Sequence, residues 1–538
     1  MTATMDQPAA KRGRIVMLVD NGVEGDSRVQ KQARSAAAAG WDVTLLGFRP
    51  HTAKRSEWSL GQAKVRVVPL IRPLQAHRST LRWSPRRPFA YSSVAIANNR
   101  LQTVRAWDAD LTMRFADVRV ARQSGGSARD ERLGKLRLFP ARVAYKVFST
   151  WAQFRAAESS RLKAARENPA SLLNRAMIRF WQVTRGDRCW RRLDPSLHDF
   201  EIGFCREIDK LKPDIIHAND YRVLGVAARA KLRAAMGGRD VKMVWDAHEY
   251  VPGLAPVSWW PGWLPAQIAY EREFARYADA VVTVSPALAE LLRDGHGLSE
   301  LPAVVQNCPQ RDEIDVDGVE SVLDLRAACG ISEETPLLAY CGGITPVRGV
   351  TLMVEALPDL PGVHVAFVSL PPNGNRKNID ELEITAKRLG VADRVHFLPY
   401  VQHWQVVSYL SSADAAVSPL LHLPNHEIAL SNKFFEYSHA RLPLVTSDVR
   451  TMSEVVRKTG QGEVFPAGDR EGYVRAVQAV LADPQKYRAA YDQPGLLEQW
   501  SWNAQAAVLE QVYSRLIPAH VPVPPTEPEP ELVALSPR

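Results

Sequence analysis

The sequence predicts an α/β protein built from two Rossmann-like, doubly wound domains in tandem, and three observations predict it. Residues 14–48 read as apolar strand, glycine-bearing loop, helix and second strand (RIVMLVD, NGVEGDSR, SRVQKQARSAAAAG, DVTLLGF). The same alternation of short apolar strand and helix returns between 214 and 307. A second run begins at PLLAYCGG (336–343) and continues through VHVAFVSL, RVHFLPY, DAAVSPL and LPLVTSD. At 538 residues the chain exceeds the ~250–300 residues that one core supports, so two or three domains are expected.

Taken in order, residues 1–12 are expected to be disordered and 13–308 to form the N-terminal domain. Gly22 and Gly25 follow its first strand, where they leave room for a ligand at the carboxyl edge of an open sheet or serve only as turn residues. After the strand KVRVVPL (64–70) the rhythm stops, and from about 74 to 207 the chain is Arg-rich and helical in pattern (FPARVAYKVFSTWAQFRAA, LLNRAMIRFWQVTRGDRCWRRL). A basic helix with Trp and Phe on one face lies on an anionic bilayer or packs on the domain with its arginines solvated. The strands DIIHAND and VKMVWDAHEY end in polar clusters, His217, Asn219, Asp220 and Asp246, His248, Glu249, which a parallel sheet brings to one edge and so into one cleft. Trp259, Trp260 and Trp263 stand in a Pro- and Gly-punctuated loop and are expected not to be buried together; stacking on a sugar, dipping into a membrane and closing the cleft all fit.

Composition narrows the function classes. The five cysteines, Cys189, Cys205, Cys308, Cys329 and Cys341, include no CxxC pair, so neither a disulfide framework nor a zinc site is indicated, and a reducing cytoplasm fits. The stretch MTATMDQPAAKRGR has no apolar h-region, and no run approaches the ~18 apolar residues that span a bilayer, so membrane contact is expected to be peripheral. The net charge is +9, and the stretch from Arg72 to Arg192 holds 26 of the 68 Lys and Arg and all of the positive excess. An anionic membrane, a nucleic acid or a phosphorylated acceptor would each suit such a stretch, but no nucleic-acid-binding signature accompanies it.

Polar, acidic residues 309–335 are expected to link the domains, and 336–485 to form the C-terminal one. Its loop CGGITPVRGV sets Gly342, Gly343 and Arg348 before a helix at Thr351, the glycine-plus-cation arrangement for a diphosphate, though it matches neither Walker A nor the dinucleotide fingerprint. From Ser418 to Asp448 the chain reads as strand, loop, helix, strand. Ser431 stands at the N-cap position and Lys433 in the first turn, where the helix dipole disfavours a cation by ~0.3–1 kcal/mol and a bound phosphate reverses that sign. Asn432 and Glu436 share a helical face, so Glu436 can accept from sugar hydroxyls while Lys433 and the helix start hold a phosphate. A solvated surface helix explains the same residues. Helices over 486–517 are expected to return towards the N-terminal domain, and the Pro-rich 518–538 to be disordered.

In this order GRIVMLVDN, DIIHANDY, WDAHEY, ADAVVTVS, AYCGGITPVRG, DRVHFLPYV and SNKFFEYSHARLPLVTSD resemble glycosyltransferase family 4, the retaining enzymes of GT-B fold, and especially its members with a DAHE motif. The resemblance implies two domains facing across a cleft, the nucleotide sugar on the C-terminal one and the acceptor on the N-terminal one. It implies that Arg348 and Lys433 neutralise the donor diphosphate, that Glu436 contacts the ribose, and that Pro399, Tyr400 and Val401 pass the base through backbone contacts. Gly342, Gly343 and Asn432 complete the donor side; Gly22, Gly25, His217, Asn219, Asp220, His248 and Glu249 form the acceptor side. The family's first signature glutamate falls on Ile428, which leaves Glu427, His426 or Asn425 for its role. Arg348, Lys433, Glu427 and His248 are then the catalytic candidates. Charge building on the leaving diphosphate calls for preorganised cations, so no metal and no cofactor beyond the nucleotide-sugar co-substrate are expected. A glycan or lipid-linked acceptor in cell-envelope polysaccharide synthesis would bring the enzyme to the inner face of the cell membrane, with the basic segment and the three tryptophans holding the cleft there. A sugar-nucleotide 2-epimerase and a non-catalytic GT-B scaffold at the membrane are the rival readings.

Overall fold

The computed structural model describes residues 12–49, 56–69, 74, 89–257, 260–310, 324–370 and 376–518. Most of the expected disordered termini, Trp259 and the middle of the expected linker (311–323) lie outside them. By contacts the chain divides into two units, one of residues 1–68, 206–250 and 276–538 and one of 69–205 and 251–275.

The first unit opens with β1 (Arg14–Leu18), α1 (Ser27–Ala38), β2 (Asp42–Arg49), β3 (Glu57–Leu60) and β4 (Ala63–Pro69). β3 and β4 form an antiparallel hairpin, and β3 was not foreseen, because an edge strand carries little apolar pattern beyond Trp58. After the second unit the chain returns for β5 (Ile215–Asn219), β6 (Lys242–Ala247), β7 (Ala280–Thr283) and β8 (Ala303–Val304). The eight strands lie in the order β3-β4-β2-β1-β5-β6-β7-β8, with every pair from β2 to β8 parallel. Chain direction across the sheet reverses between β1 and β5, which opens a crevice at their carboxyl ends.

A second sheet takes β9 (Leu337–Cys341), β10 (His364–Leu370), β11 (Val395–Pro399), β12 (Ala415–Ser418), β13 (Leu444–Ser447) and β14 (Gly462–Phe465) in the order β11-β10-β9-β12-β13-β14. All pairs are parallel, and the switch point falls between β9 and β12. Fully buried strand cores such as LLAYC and AAVS are what a parallel sheet covered on both faces requires. The second half of the expected linker is no linker. Leu325 is fully buried, and Cys329 and Ile331 pack with it in the core of this second domain.

The helical second unit contains α2 (Val94–Gln123), α3 (Ala128–Glu167), α4 (Leu172–Arg185) and α5 (Trp263–Ala275). Each of α2, α3 and α4 starts on a serine whose hydroxyl accepts a backbone N–H of the first turn. α2 and α3 are joined by a short loop and pack along one another. Trp190 anchors the unit: it is fully buried, donates Nε1 to Glu273 at 2.6 Å and packs edge-on to Tyr270, while Arg191 grips the same carboxylate through two nitrogens at 2.5 and 2.7 Å. The expectation that the tryptophans are not buried together holds for the two described ones, because Trp263 is only partly buried. Trp260 is buried with its Nε1 on the Leu193 carbonyl at 2.9 Å, and Trp263 begins α5.

Candidate active site

In the first unit, α6 (Asn432–His439) presents the C-terminal half of the site. Phe434, Phe435 and Tyr437 bury one side of this helix in the sheet core, and the Tyr437 hydroxyl accepts the Cys341 N–H at 2.8 Å. The helix start is thereby fixed against the end of β9. Ser431 holds the N-cap position, but its hydroxyl makes no capping bond and is buried without a partner. At that helix start Lys433 is only 5% exposed; its Nζ lies 3.1 Å from the Tyr340 hydroxyl and 4.2 Å from the ring centre.

The glycine loop brings a second cation to the same place. Gly342 has φ +120°, and a Cβ there would sit 3.7 Å from Arg348 Nη1 and 3.8 Å from Lys433 Nζ. Gly349 follows with φ +69°, so close to the Pro419 carbonyl that a Cβ would be 1.8 Å from its oxygen. This glycine sets where Arg348 stands. Burial and then Arg348 pull the Lys433 ammonium down to about 7. Arg348 and Lys433 are thus held together, and the hydroxyls of Thr345 and Ser431, three and two positions from them in the chain, and of Ser418 at the end of β12 are buried without a partner; a diphosphate at the β9/β12 switch point is the group that such cations and a helix start suit. Glu436, one turn along, has its carboxyl pushed up by burial against the opposing pull of Lys31 and Lys433. Tyr400 is exposed after the end of β11, and Val401 packs against the domain core. Gly343 has open space around it.

Glu427 is already engaged. Its carboxylate lies 2.6 Å from His422 Nδ1 and accepts the Arg450 N–H at 2.7 Å, at the start of α7 (Arg450–Thr459). Asn425 is engaged as well: it accepts from the Tyr250 N–H at 2.8 Å and donates to the Tyr250 carbonyl at 3.1 Å, while Ser285 Oγ donates to the Ile428 carbonyl at 2.5 Å. These bonds pin the loop after β12 to the N-terminal sheet's loops. Ile428 itself points into the interior, so its side chain is not offered to a ligand. His426 is half-buried with Nδ1 2.7 Å from the Leu421 carbonyl.

On the N-terminal side the organising group is Asp246, fully buried at the end of β6. It accepts from Arg28 Nε and Nη2 at 2.9 and 2.8 Å and from Gln32 at 2.6 Å, with His248 Nε2 3.2 Å away. Burial alone would raise its pKa, but Arg28 and His248 hold it well below the usual carboxylate range. His248 sits partly exposed above it; burial opposes its protonated form, Asp246 outweighs burial, and its pKa is raised. Asp220 adopts φ +70° after β5, accepts the Tyr221 N–H at 2.8 Å, and is pushed up to about 7 by burial. Glu249 is exposed, and Gly25 has nothing within 4 Å of where a side chain would start.

Two acceptor-side expectations are corrected. His217 and Asn219 are fully buried: His217 Nδ1 meets the Tyr513 hydroxyl at 2.5 Å, and Asn219 donates to the Leu18 carbonyl at 3.1 Å. For His217 the cause is α8 (Trp502–Leu516), which folds back onto the N-terminal sheet, with Trp502, Leu509 and Tyr513 in its core. Sequence reasoning also missed Arg28, Lys31 and Gln32 on α1. Their one signal is that they share helical spacing with the apolar Val29, Ala33 and Ala36. Lys31 is buried with Nζ on the Cys308 carbonyl at 2.5 Å and over the Trp502 ring.

Known glycosyltransferases resemble this chain in sequence and in fold. A family described as Glycosyltransferase Family 4 matches residues 156–308, and one described as Glycosyl transferases group 1 matches 335–483. The glycogen synthase of Mycobacterium tuberculosis (strain ATCC 25618 / H37Rv) is 28% identical over 307 residues, 56% of this chain and 69% of that protein. A D-inositol 3-phosphate glycosyltransferase of Mycolicibacterium gilvum is 27% identical over 197 residues, 36% of this chain and 43% of its own length. Among solved structures, sucrose-phosphate synthase from Thermosynechococcus elongatus superposes with TM-score 0.58 at 15% identity, covering 94% of this chain and 99% of its own. The Anabaena protein Alr3699/HepE in complex with UDP and glucose gives 0.55 at 14%, covering 94% and 100%. These similarities identify the fold as GT-B.

Proposed function

We propose that this chain, a glycosyltransferase of GT-B architecture, transfers a sugar from a nucleotide-diphosphate donor held on the C-terminal sheet to an acceptor received on the N-terminal one. The observation that carries the reading is the pairing of Arg348 with the buried Lys433 over Gly342, with a partnerless hydroxyl near each in the chain. As the glycosidic bond to the donor breaks, negative charge grows on the diphosphate. Two cations and a helix start already aimed at that charge need no reorganisation, and each such donor is worth a factor of ~10² to 10³ in rate. This supply of positive charge is the reason for proposing transfer without a metal ion. Retention at the anomeric carbon is proposed from the family.

Within this proposal Glu436 receives the ribose, Pro399 to Val401 pass the base, and Asp220, His248 and Glu249 face the acceptor. Glu427, committed to His422 and the start of α7, acts as a positioning residue for the loop after β12. The acceptor is a glycan or a lipid-linked sugar. All five cysteines are free thiols, which suits a cytoplasmic enzyme.

The test is a thermal-shift screen of uridine, adenosine and guanosine diphosphates and their sugars, followed by nucleoside-diphosphate release with candidate acceptors. A ligand at 100 times its Kd stabilises by ~2.7 kcal/mol. A shift with one nucleotide family and acceptor-dependent release are expected. Conversion of the donor without any acceptor would replace the proposal with epimerisation, and binding without turnover would replace it with a scaffold.

A further inference from the structure

The helical unit holds a surface that sugar transfer does not use. Along α3, Leu136, Phe139, Val143, Val147, Trp151 and Phe154 are all exposed, between 45% and 68%. Their spacings of three and four residues keep them on one line down the helix, about 27 Å long. The opposite face of α3 carries Ala152 and Ala156, both buried, and packs along α2. α3 therefore has two apolar faces, of which the hairpin covers one.

Charge identifies what the other face meets. From Arg132 to Ala157 the helix has six Lys or Arg and no Asp or Glu. At 100° per residue, Arg137 falls on one side of the apolar line and Lys135, Arg142 and Lys146 on the other; Arg155, on the first side, donates to the Ala90 carbonyl at 2.9 Å, Lys135 pairs with Glu131, and Arg142 lies over the Phe115 ring of α2, which leaves Arg137 and Lys146 as the cations aimed at a leaflet. α4 repeats the composition: Leu172, Leu173, Met177, Phe180 and Val183 are exposed, no residue of the helix is buried, and Arg175, Arg179 and Arg185 accompany them with no acidic residue from 168 to 186. A second copy of this chain laid on either row would set arginine against arginine with no carboxylate to pair. An apolar row between two basic margins complements an anionic lipid leaflet, whose acyl region takes the apolar side chains and whose phosphates take the margins. No helix among the described residues is long and apolar enough to cross a membrane, so contact through these helices is interfacial.

We propose that α3 and α4 form an interfacial docking surface for anionic phospholipid. Trp260, buried in its own unit, takes no part. This holds whether or not the chain transfers sugar, so the two readings fail separately.

The test is sedimentation of the full chain with vesicles of phosphatidylcholine alone or mixed with phosphatidylglycerol. Binding is expected only to the mixed vesicles, falling at least tenfold between low and ~0.5 M salt, where exposed charges are screened. The variants Val147→Asp with Trp151→Asp on α3, and Phe180→Asp on α4, should each lower partitioning at least tenfold while circular dichroism and the unfolding temperature stay unchanged, since these positions face solvent. A charge variant at two exposed positions, Arg137→Glu with Lys146→Glu, should do the same. Equal binding to neutral vesicles, no binding to mixed ones, or unaltered partitioning of the variants would overturn the proposal. Concentration-dependent self-association abolished by the same variants would overturn it in favour of a second copy.

Discussion

The Lys433 ammonium provides a quantitative test of the donor site. Its fall from an ordinary 10.5 to about 7 corresponds to roughly 5 kcal/mol of disfavoured charge, from burial first and Arg348 second. In the free protein about half of the molecules then carry an uncharged Lys433 at pH 7. The groups around it are Arg348, which disfavours the charge, and Cys341 and Glu436, which favour it. A diphosphate adds negative charge at the same point and raises the pKa again, so binding takes up a proton. Affinity for a nucleotide sugar is fully present below about pH 7 and falls tenfold per unit above it, which makes pH 8 about tenfold weaker than pH 6, or ~1.4 kcal/mol. The diphosphate diester of a nucleotide sugar does not titrate in this range, so the proton belongs to the protein. Calorimetric titration in two buffers of different ionisation enthalpy measures both affinity and proton uptake. Lys433→Met should flatten the profile and weaken binding at pH 6 by a factor of ~10² or more. Equal affinity at pH 6 and 8 with no proton uptake would refute the reasoning. Without ligand the sign is opposite: the unfolded chain binds more protons between about 7 and ~10.4, so Lys433 makes folding stability rise with pH through that window.

Arg348→Ala should lower turnover by ~10²-fold or more with an unchanged unfolding temperature, and Glu436→Gln should weaken donor binding by ~1.5–3 kcal/mol in the same calorimetry; wild-type behaviour of either reduces it to a structural residue. Loss of an N-cap hydroxyl usually costs ~0.5–2 kcal/mol, but Ser431 makes no capping bond, so Ser431→Ala should leave chemical denaturation of the free protein unchanged and weaken donor binding about tenfold. Gly349→Ala should destabilise by at least ~2 kcal/mol, because its φ of +69° and the 1.8 Å approach to the Pro419 carbonyl leave no place for a Cβ; an unaltered denaturation midpoint would contradict that. Asp220 is raised from 3.8 to about 7, so the folded state binds the extra proton and this group's contribution to stability declines as pH rises through that interval. Asp220→Asn, which tolerates the left-handed backbone, should therefore gain in unfolding temperature over wild type between pH 5 and pH 8, and a pH-independent difference would count against a buried carboxyl.

Much of this was legible in the sequence because parallel sheets advertise themselves. LLAYC and AAVS are apolar up to their last residues, as strands covered on both faces are, and the loops after them carry the chemistry of an open sheet's carboxyl edge. Arg348 and Lys433 could be singled out because glycines and a helix start stood beside them. What stayed hidden depends on elements far apart in sequence. Asp246 is a buried hub only because Arg28 and Gln32 reach it from α1, 218 and 214 positions away, and a charged pair of that kind leaves no local pattern. His217 looked like a cleft residue until α8, 296 residues on, set Tyr513 against it. A basic helix with Trp and Phe on one face was legible here, with a bilayer and the domain core as alternative partners; that α3 has two apolar faces was not, because its apolar residues point both inward and outward. Ser431 stands at the cap position that its residue type suits, but its hydroxyl is left over, because the helix start forms without it.

The most direct test of the central claim is the structure of the chain with a nucleoside diphosphate bound. The account predicts the diphosphate at the carboxyl ends of β9 and β12, with its oxygens about 2.7–3.1 Å from Lys433 Nζ, a guanidinium nitrogen of Arg348 and the hydroxyl of Ser431. A diphosphate bound elsewhere, or one in this cleft that leaves Arg348 and Lys433 without contact, would contradict it.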